Sequence, residues 1–190
     1  GKYKKIPIDL DGVFTTSWHP TENKIAFMGH KDDSSDIYVI DLKSKEVTNI
    51  TNDIFSESSP SWSKNGELIY FTSDRGQNIS TENMYDIDFS QTDIFQYSYQ
   101  TNTVSQVTNT DYNENYPVAS SDGNLFYTAD YNGITNIFKH NLSSNKALPI
   151  TNVITGVQQI DLDDSNNLVF SGFKKRGWDL YIMNNSNTVS

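Results

Sequence analysis

The stretch Pro60–Gly76 reads PSWSKNGELIYFTSDRG. It holds an aromatic anchor at Trp62, an Asn65-Gly66 turn, a strand-forming run from Leu68 to Thr72, and then Ser73, Asp74 and Arg75 side by side. Taken alone, an acid beside a cation at the end of a strand suggests catalysis or ligand capture. The same layout recurs three more times along the chain, and the recurrence decides how the stretch is read.

Trp18, Trp62, Ala119 and Leu162 fall in one column at spacings of 44, 57 and 43 residues, the 57 containing an insertion. A strand-like run follows each of them: KIAFM at 24–28, LIYFT at 68–72, LFYTA at 125–129 and LVFSG at 168–172. A second run then begins at Asp36, Asp93, Asn136 and Asp179, as DIYVID, DIFQYS, NIFKHN and DLYIMN. A third column, ITN at 50–52, VTN at 107–109 and ITN at 150–152, repeats the same spacings. Each unit therefore predicts four short strands in about 43 residues, the signature of a propeller blade.

The local chemistry agrees with that period. Asn65-Gly66 and Asp122-Gly123 suit the positive φ angles of a two-residue hairpin, whereas Asn23 and Ser165-Asn166 are weaker matches in the first and last units. The strand runs are apolar at consecutive positions, so both faces are expected to be buried, as in a blade stacked between neighbours. No run of helix formers with a 3.6-residue apolar period competes.

SSPSWSKNGELIYFTSDRG at 58–76, the Asp-Ile-Tyr strand starts and the ITN endings resemble the TolB-type (WD40-like, PD40) β-propeller repeat, which also occurs in propeller domains of prolyl-oligopeptidase-like (S9) peptidases and of tricorn-like proteins. The resemblance covers nearly the whole chain, with Ala119 and Leu162 departing from the Trp column. It implies an all-β propeller of four-stranded antiparallel blades, with repeats at about 10–52, 53–109, 110–152 and 153–190. Residues 1–9 align with a fourth strand and are expected to complete the last blade and close a four-bladed ring. The alternative is part of a larger propeller of six to eight blades.

Bulk composition narrows the function classes. The chain has 190 residues, 35% hydrophobic, enough for one domain with a real core. Fourteen basic against twenty-four acidic residues give a net charge of -10, and Arg75 and Arg176 are the only guanidinium groups. A phosphate-tracking nucleic-acid surface has little to be built from, and a basic protein or peptide partner is the better match. There is no cysteine, hence no disulfide or thiolate chemistry, and no apolar run approaches the roughly 20 residues that cross a bilayer.

Each chemically suggestive group has a structural counterpart. Asp74 and Arg75 are read as tying down a loop, since the positions aligned with them hold His30-Lys31, Tyr131-Asn132 and Lys174-Lys175. The recurring Asp36, Asp93, Asn136 and Asp179, with Trp18 and Trp62, are read as repeat-building residues. The insertion at about 78–92, NISTENMYDIDFSQT, departs from the repeat, and long loops on rigid scaffolds carry function. Met84, Tyr85, Asp86, Asp88 and Phe89 are its candidate binding residues, aromatic and acidic as an interface with a basic rim requires. Asp86, Asp88, Ser90 and Thr92 have the alternate spacing of a calcium loop, but Gln91 replaces the turn glycine and Tyr97 the bidentate Glu, so no cofactor or metal is assigned. No Gly-x-Ser-x-Gly elbow exists, and His19, His30 and His140 belong to no catalytic or zinc motif.

The expected function is a non-catalytic protein- or peptide-binding scaffold. The resemblance to TolB implies a bacterial periplasmic or cell-surface protein of the cell envelope. The alternative is the gating propeller of a prolyl-oligopeptidase-like peptidase whose catalytic domain lies elsewhere.

Overall fold

The computed structural model describes residues 1–76 and 89–184. Its strands form antiparallel meanders. The first comprises β1 (Gly12–Trp18), β2 (Lys24–Lys31), β3 (Ser34–Asp41) and β4 (Val47–Asn49). The second comprises β5 (Glu57–Trp62), β6 (Leu68–Ser73), β7 (Asp93–Ser98) and β8 (Thr103–Gln106). The third holds β9 (Glu114–Ala119), β10 (Asn124–Ala129), β11 (Asn136–Asn141) and β12 (Lys146–Pro149). The fourth, with three strands among the described residues, is β13 (Val157–Leu162), β14 (Leu168–Lys174) and β15 (Gly177–Met183). These are four propeller blades, packed in chain order with the first strands β1, β5, β9 and β13 innermost.

Burial on both faces holds the blades together. Trp62, Ile69, Phe71 and Phe95 of the second blade meet Ala26, Ile37 and Val39 of the first. Tyr70 and Ile94, on the second blade's other face, meet Ala119, Leu125 and Tyr127 of the third. Phe126 and Ile137 then meet Val157, Ile160, Leu168 and Phe170 of the fourth. Each such side chain contributes about 1.5–3 kcal/mol by leaving water, so the blade junctions form the core.

Every inner strand carries a bulge at its middle, where its register against the second strand slips. In three blades the bulge places a non-glycine residue at positive φ: Ser59 at 53°, Tyr116 at 54° and Gln159 at 50°. Pro60 and Pro117 follow directly, and having no N–H to donate they suit a strand that is the inner edge of its blade. The hairpin turns are longer than the two residues expected. The backbone of Ser63 closes on Leu68 and that of Ser120 on Asn124, and only Gly66 (φ 76°) and Gly123 (φ 80°) are left-handed. Gly66 has a second reason to lack a side chain, because a Cβ there would lie 2.4 Å from the His19 ring.

The Thr column closes each of the first three blades. The N–H groups of Ile37, Ile94 and Ile137 donate to the hydroxyls of Thr51 (3.1 Å), Thr108 (2.8 Å) and Thr151 (2.8 Å). Thr51 donates onward to Asp36 (3.2 Å) and Thr151 to Asn136 (2.9 Å). Asp93 instead accepts from Gln106 and from the Thr110 N–H. The recurring Asp/Asn thus fastens the third strand to the chain that leaves the fourth. Asp179 is exposed, with no fourth strand beside it among the described residues.

The N-terminal segment does not do what its alignment suggests. Residues 1–9 form no strand, and Ile6, Ile8 and Leu10 pack instead on Phe27, Tyr38 and Ile40 of the first blade. The reason is local: that face of the first blade is apolar, and the three side chains leave water by packing on it.

Replacing Thr151 by Val keeps the side-chain shape but removes the acceptor for Ile137 and the donor to Asn136. The expected loss is about 1–3 kcal/mol, with Thr151→Ser close to the parent, read from urea midpoints at unchanged m.

Candidate binding face around the insertion

The Ser73-Asp74-Arg75 triplet folds back onto the segment from Asp53 to Glu57. Glu57, first in β5, lies directly opposite Ser73, last in β6. Arg75 turns inward and is only 4% exposed. Its guanidinium reaches Glu57 Oε1 at 2.7 Å and Asp53 Oδ2 at 3.0 Å, while its Nε donates to Ser73 Oγ at 3.1 Å. Ser73 Oγ donates in turn to Glu57 at 2.9 Å. The rings of Phe55, Phe71 and Phe95 surround the cation at 5.2, 5.9 and 5.3 Å. Asp74 takes no part; it accepts the Ser56 N–H at 2.8 Å. A cation so enclosed is matched by protein carboxylates and offers little to a substrate. It fastens the chain leaving β6 to the 50–56 connection through Asp53.

The end of the insertion is tied to the third blade. The Thr92 N–H donates to Asn113 Oδ1 at 3.0 Å and its hydroxyl to the Glu114 carbonyl at 3.2 Å, and the Gln91 amide donates to the Thr110 carbonyl. Asn113 is itself held by Asp130, which does for the third blade what Asp74 does for the second. The insertion thus leaves from blade two and lands on blade three. Of its candidate binding residues, Met84, Tyr85, Asp86 and Asp88 lie outside the described residues. Phe89 is exposed, with its ring 6.1 Å from Phe55.

Three further apolar side chains are exposed on the same ends of the blades: Ile54, Tyr131 and Ile154, each from a different connection. Tyr131 sits edge-on to Tyr112 at 5.1 Å, in a single helical turn, Tyr131–Gly133. It walls a cleft of about 420 Å³ whose other sides are Ile134, Thr151, Val153 and Ile154. Across the connecting segments 50–56, 74–76, 89–92, 107–113, 130–135 and 150–156 the one cation is the buried Arg75, whereas Asp111 is exposed. The middle of the sector is apolar with Asp111 exposed, and the exposed turn Lys174-Lys175-Arg176 borders it where Phe173 meets Thr155 and Gly156.

Two carboxylates missed by sequence reasoning stand beneath this face. Glu57 and Glu114 share the 57-residue spacing of the other columns, which was the signal available. Both are buried, but Glu114 has no cation. Burial pushes its carboxyl up to about 7; the hydroxyls of Thr108 and Thr110 pull it back, and the Asp93 carboxylate pushes it further. The three histidines serve turns and pairs locally. His19 Nδ1 accepts the N–H groups of Thr21 and Glu22, His30 meets Ser35, and His140 meets Asn145. The inner strands line a groove of about 290 Å³ in which Asp161 is the only charged side chain.

Arg75→Met should cost about 3–5 kcal/mol, because it strands a buried carboxylate, and adding Glu57→Gln should recover a good part of that loss in a double-mutant cycle. Glu114 gives a pH effect of defined sign. Its folded value lies above the ordinary 4.5, so its stabilisation is complete below about pH 4.5 and is lost as pH rises through about 7. Relative to Glu114→Gln, the parent should therefore lose about 2 kcal/mol between pH 5 and pH 8, measured by denaturant midpoints.

Comparison with known proteins places this geometry in a family. A model of PD40, the TolB beta propeller domain, matches residues 9–155. No curated protein matches the sequence. Among solved structures, TolB from Acinetobacter baumannii is similar with a TM-score of 0.75 and 19% identity, over 94% of this chain and 42% of that one. Puromycin hydrolase follows at 0.71 and 7%, over 94% and 28%. Prolyl oligopeptidase B from Galerina marginata reaches 0.61 and 9%, over 90% and 25%. The chain thus spans less than half the length of each of these. With the family model matched over most of its length and the blades built as described, the chain belongs to the TolB β-propeller family.

Proposed function

We propose that the protein is a non-catalytic, TolB-like binding propeller of the bacterial cell envelope, periplasmic or cell-surface, which takes a protein or peptide partner. The partner docks on the blade ends around the insertion. The observation that carries this is the convergence of Ile54, Phe89, Tyr131 and Ile154 from four separate connections onto the same blade ends. Rigid blades fix those side chains in place, which keeps the entropy cost of binding low. A partner with an apolar anchor and a basic rim matches the surface. The histidines are engaged in local turns and pairs, and this supports binding over hydrolysis.

A second reading draws on the likeness to puromycin hydrolase. In it the blades gate access to a hydrolase domain encoded elsewhere in the same gene.

Crosslinked capture from bacterial envelope extracts, run in parallel with Ile154→Asp and Phe89→Ser variants, tests the first reading. Both positions are exposed, so the fold should survive, and a partner that depends on this face should bind at least tenfold more weakly to each variant. Capture that is identical for all three proteins would move the binding site elsewhere. Labelling of the natural full-length product by a serine-hydrolase probe would favour the second reading instead.

A further inference from the structure

Blade three repeats the walls of the Arg75 cage of blade two, without the cation. Thr110, Tyr112 and Glu114 stand 57 residues after Asp53, Phe55 and Glu57. Tyr127 pairs with Phe138 across β10 and β11 as Phe71 pairs with Phe95 across β6 and β7. Ala129 lies opposite Glu114 as Ser73 lies opposite Glu57. Asp130 accepts the Asn113 N–H as Asp74 accepts that of Ser56, so the residue in the place of Arg75 is Tyr131.

The acid has stayed while its partners differ. In blade two Glu57 Oε1 takes Arg75 at 2.7 Å and Ser73 at 2.9 Å. In blade three Glu114 Oε1 takes the Thr110 hydroxyl at 3.1 Å, and Oε2, like that of Glu57, has no hydrogen-bond partner. A carboxyl 1% exposed and lacking a cation is costly to keep, and a neutral residue would fill the place at less cost. The Tyr131 ring takes the guanidinium's position among the rings, 5.1 Å from Tyr112 and 6.3 Å from Phe138. It is held less firmly than Arg75. Tyr131 is 42% exposed against 4%, and the turn that carries it has Asn132 (φ 58°) and Gly133 (φ 73°) left-handed. The cleft of about 420 Å³ between Tyr131 and Ile154 gives the ring room to turn aside.

We infer that the cage of blade three is a socket for an arginine side chain of the docking partner, whose guanidinium displaces Tyr131 toward the cleft and pairs with Glu114 as Arg75 pairs with Glu57. The inference rests on the reading that a partner docks on these blade ends. Aromatic walls select the planar, weakly hydrated guanidinium over a lysine ammonium. Burial pushes the Glu114 carboxyl up to about 7; Asp93 of β7 pushes it the same way, and Tyr127 of β10 is the other titratable group beside it. A guanidinium pulls such a carboxyl down, as Arg75 does that of Glu57, so binding releases protons and strengthens as pH rises.

The test titrates N-acetylarginine amide into the protein and follows the ring resonances of Tyr112 and Tyr131. At pH 8 they should shift saturably, with N-acetyllysine amide about tenfold weaker. The arginine affinity should rise severalfold from pH 6 to pH 8. Glu114→Gln keeps an acceptor for Thr110 and should weaken binding about tenfold or more. Tyr131→Arg supplies the cation from the chain itself, so it should abolish probe binding and raise the urea midpoint at pH 8. No saturable shift, equal affinity for the lysine amide, or binding indifferent to pH or to Glu114→Gln overturns the inference. So does a Tyr131→Arg variant less stable than the parent at pH 8. Failure here leaves partner capture through Ile154 and Phe89 standing, whereas capture indifferent to those two positions removes the docking reading whether or not the probe binds.

Discussion

A sheet that is apolar on both faces cannot stand alone in water, and everything else in this protein follows from that. The second strands KIAFM, LIYFT and LFYTA bury consecutive side chains, so each blade needs a neighbour on either side. The requirement fixes the spacing of about 43 residues, because only a repeated unit presents the same two faces each time. It also accounts for the N-terminal segment: Ile6, Ile8 and Leu10 cover the apolar face that Phe27 and Tyr38 present.

Stacking apolar faces leaves a polar question at the blade ends, where the chain must cross from one sheet to the next. The Thr column answers it cheaply, with one hydroxyl serving as acceptor for a strand N–H and as donor to Asp36 or Asn136. The position of Glu57 and Glu114 shows two solutions to a harder case. Beside Glu57 the chain supplies Arg75, wrapped in three phenyl rings, and the pair holds the chain leaving β6. Beside Glu114 it supplies threonines and Asp93; burial raises that carboxyl to about 7, as it does Glu57 despite the opposing pull of Arg75. The two carboxyls lie on either side of the insertion in sequence, Glu57 bonded to Arg75 and Ser73, and Glu114 lending its backbone carbonyl to Thr92.

The parts legible in the sequence were those enforced by the repeat. Strands, blade order and the Trp and Asp columns recur, and recurrence separates a structural residue from a chance match. The parts that were not legible depend on where backbone bends or on what lies opposite. Ser59, Tyr116 and Gln159 are left-handed without being glycine, so composition gave no sign of the bulges. The turn from Ser120 to Asn124, one residue shorter than that from Ser63 to Leu68, also shifts the third blade, so that Asp130, and not Tyr131, is the counterpart of Asp74. The burial of Glu57 is a tertiary fact: a carboxylate at the start of a strand reads as exposed until Arg75 is seen folding back over it.

The distribution of polar work across the molecule argues where function resides. On one set of blade ends the short hairpins use their own side chains completely: His19 caps the first, Asn65 and Ser63 the second, and Asp163 the last. Those turns are closed units with little left to offer. The opposite ends carry the longer connections, and there the polar groups secure the roots of the loops while Ile54, Phe89, Tyr131 and Ile154 are left to solvent. Exposing four large apolar side chains on anchored loops costs solubility and gains nothing for the blades, whose cores are complete without them. A surface maintained against that cost is the one on which a partner's apolar groups would be desolvated, and the rigid junction of blades two and three sets the geometry it would have to meet.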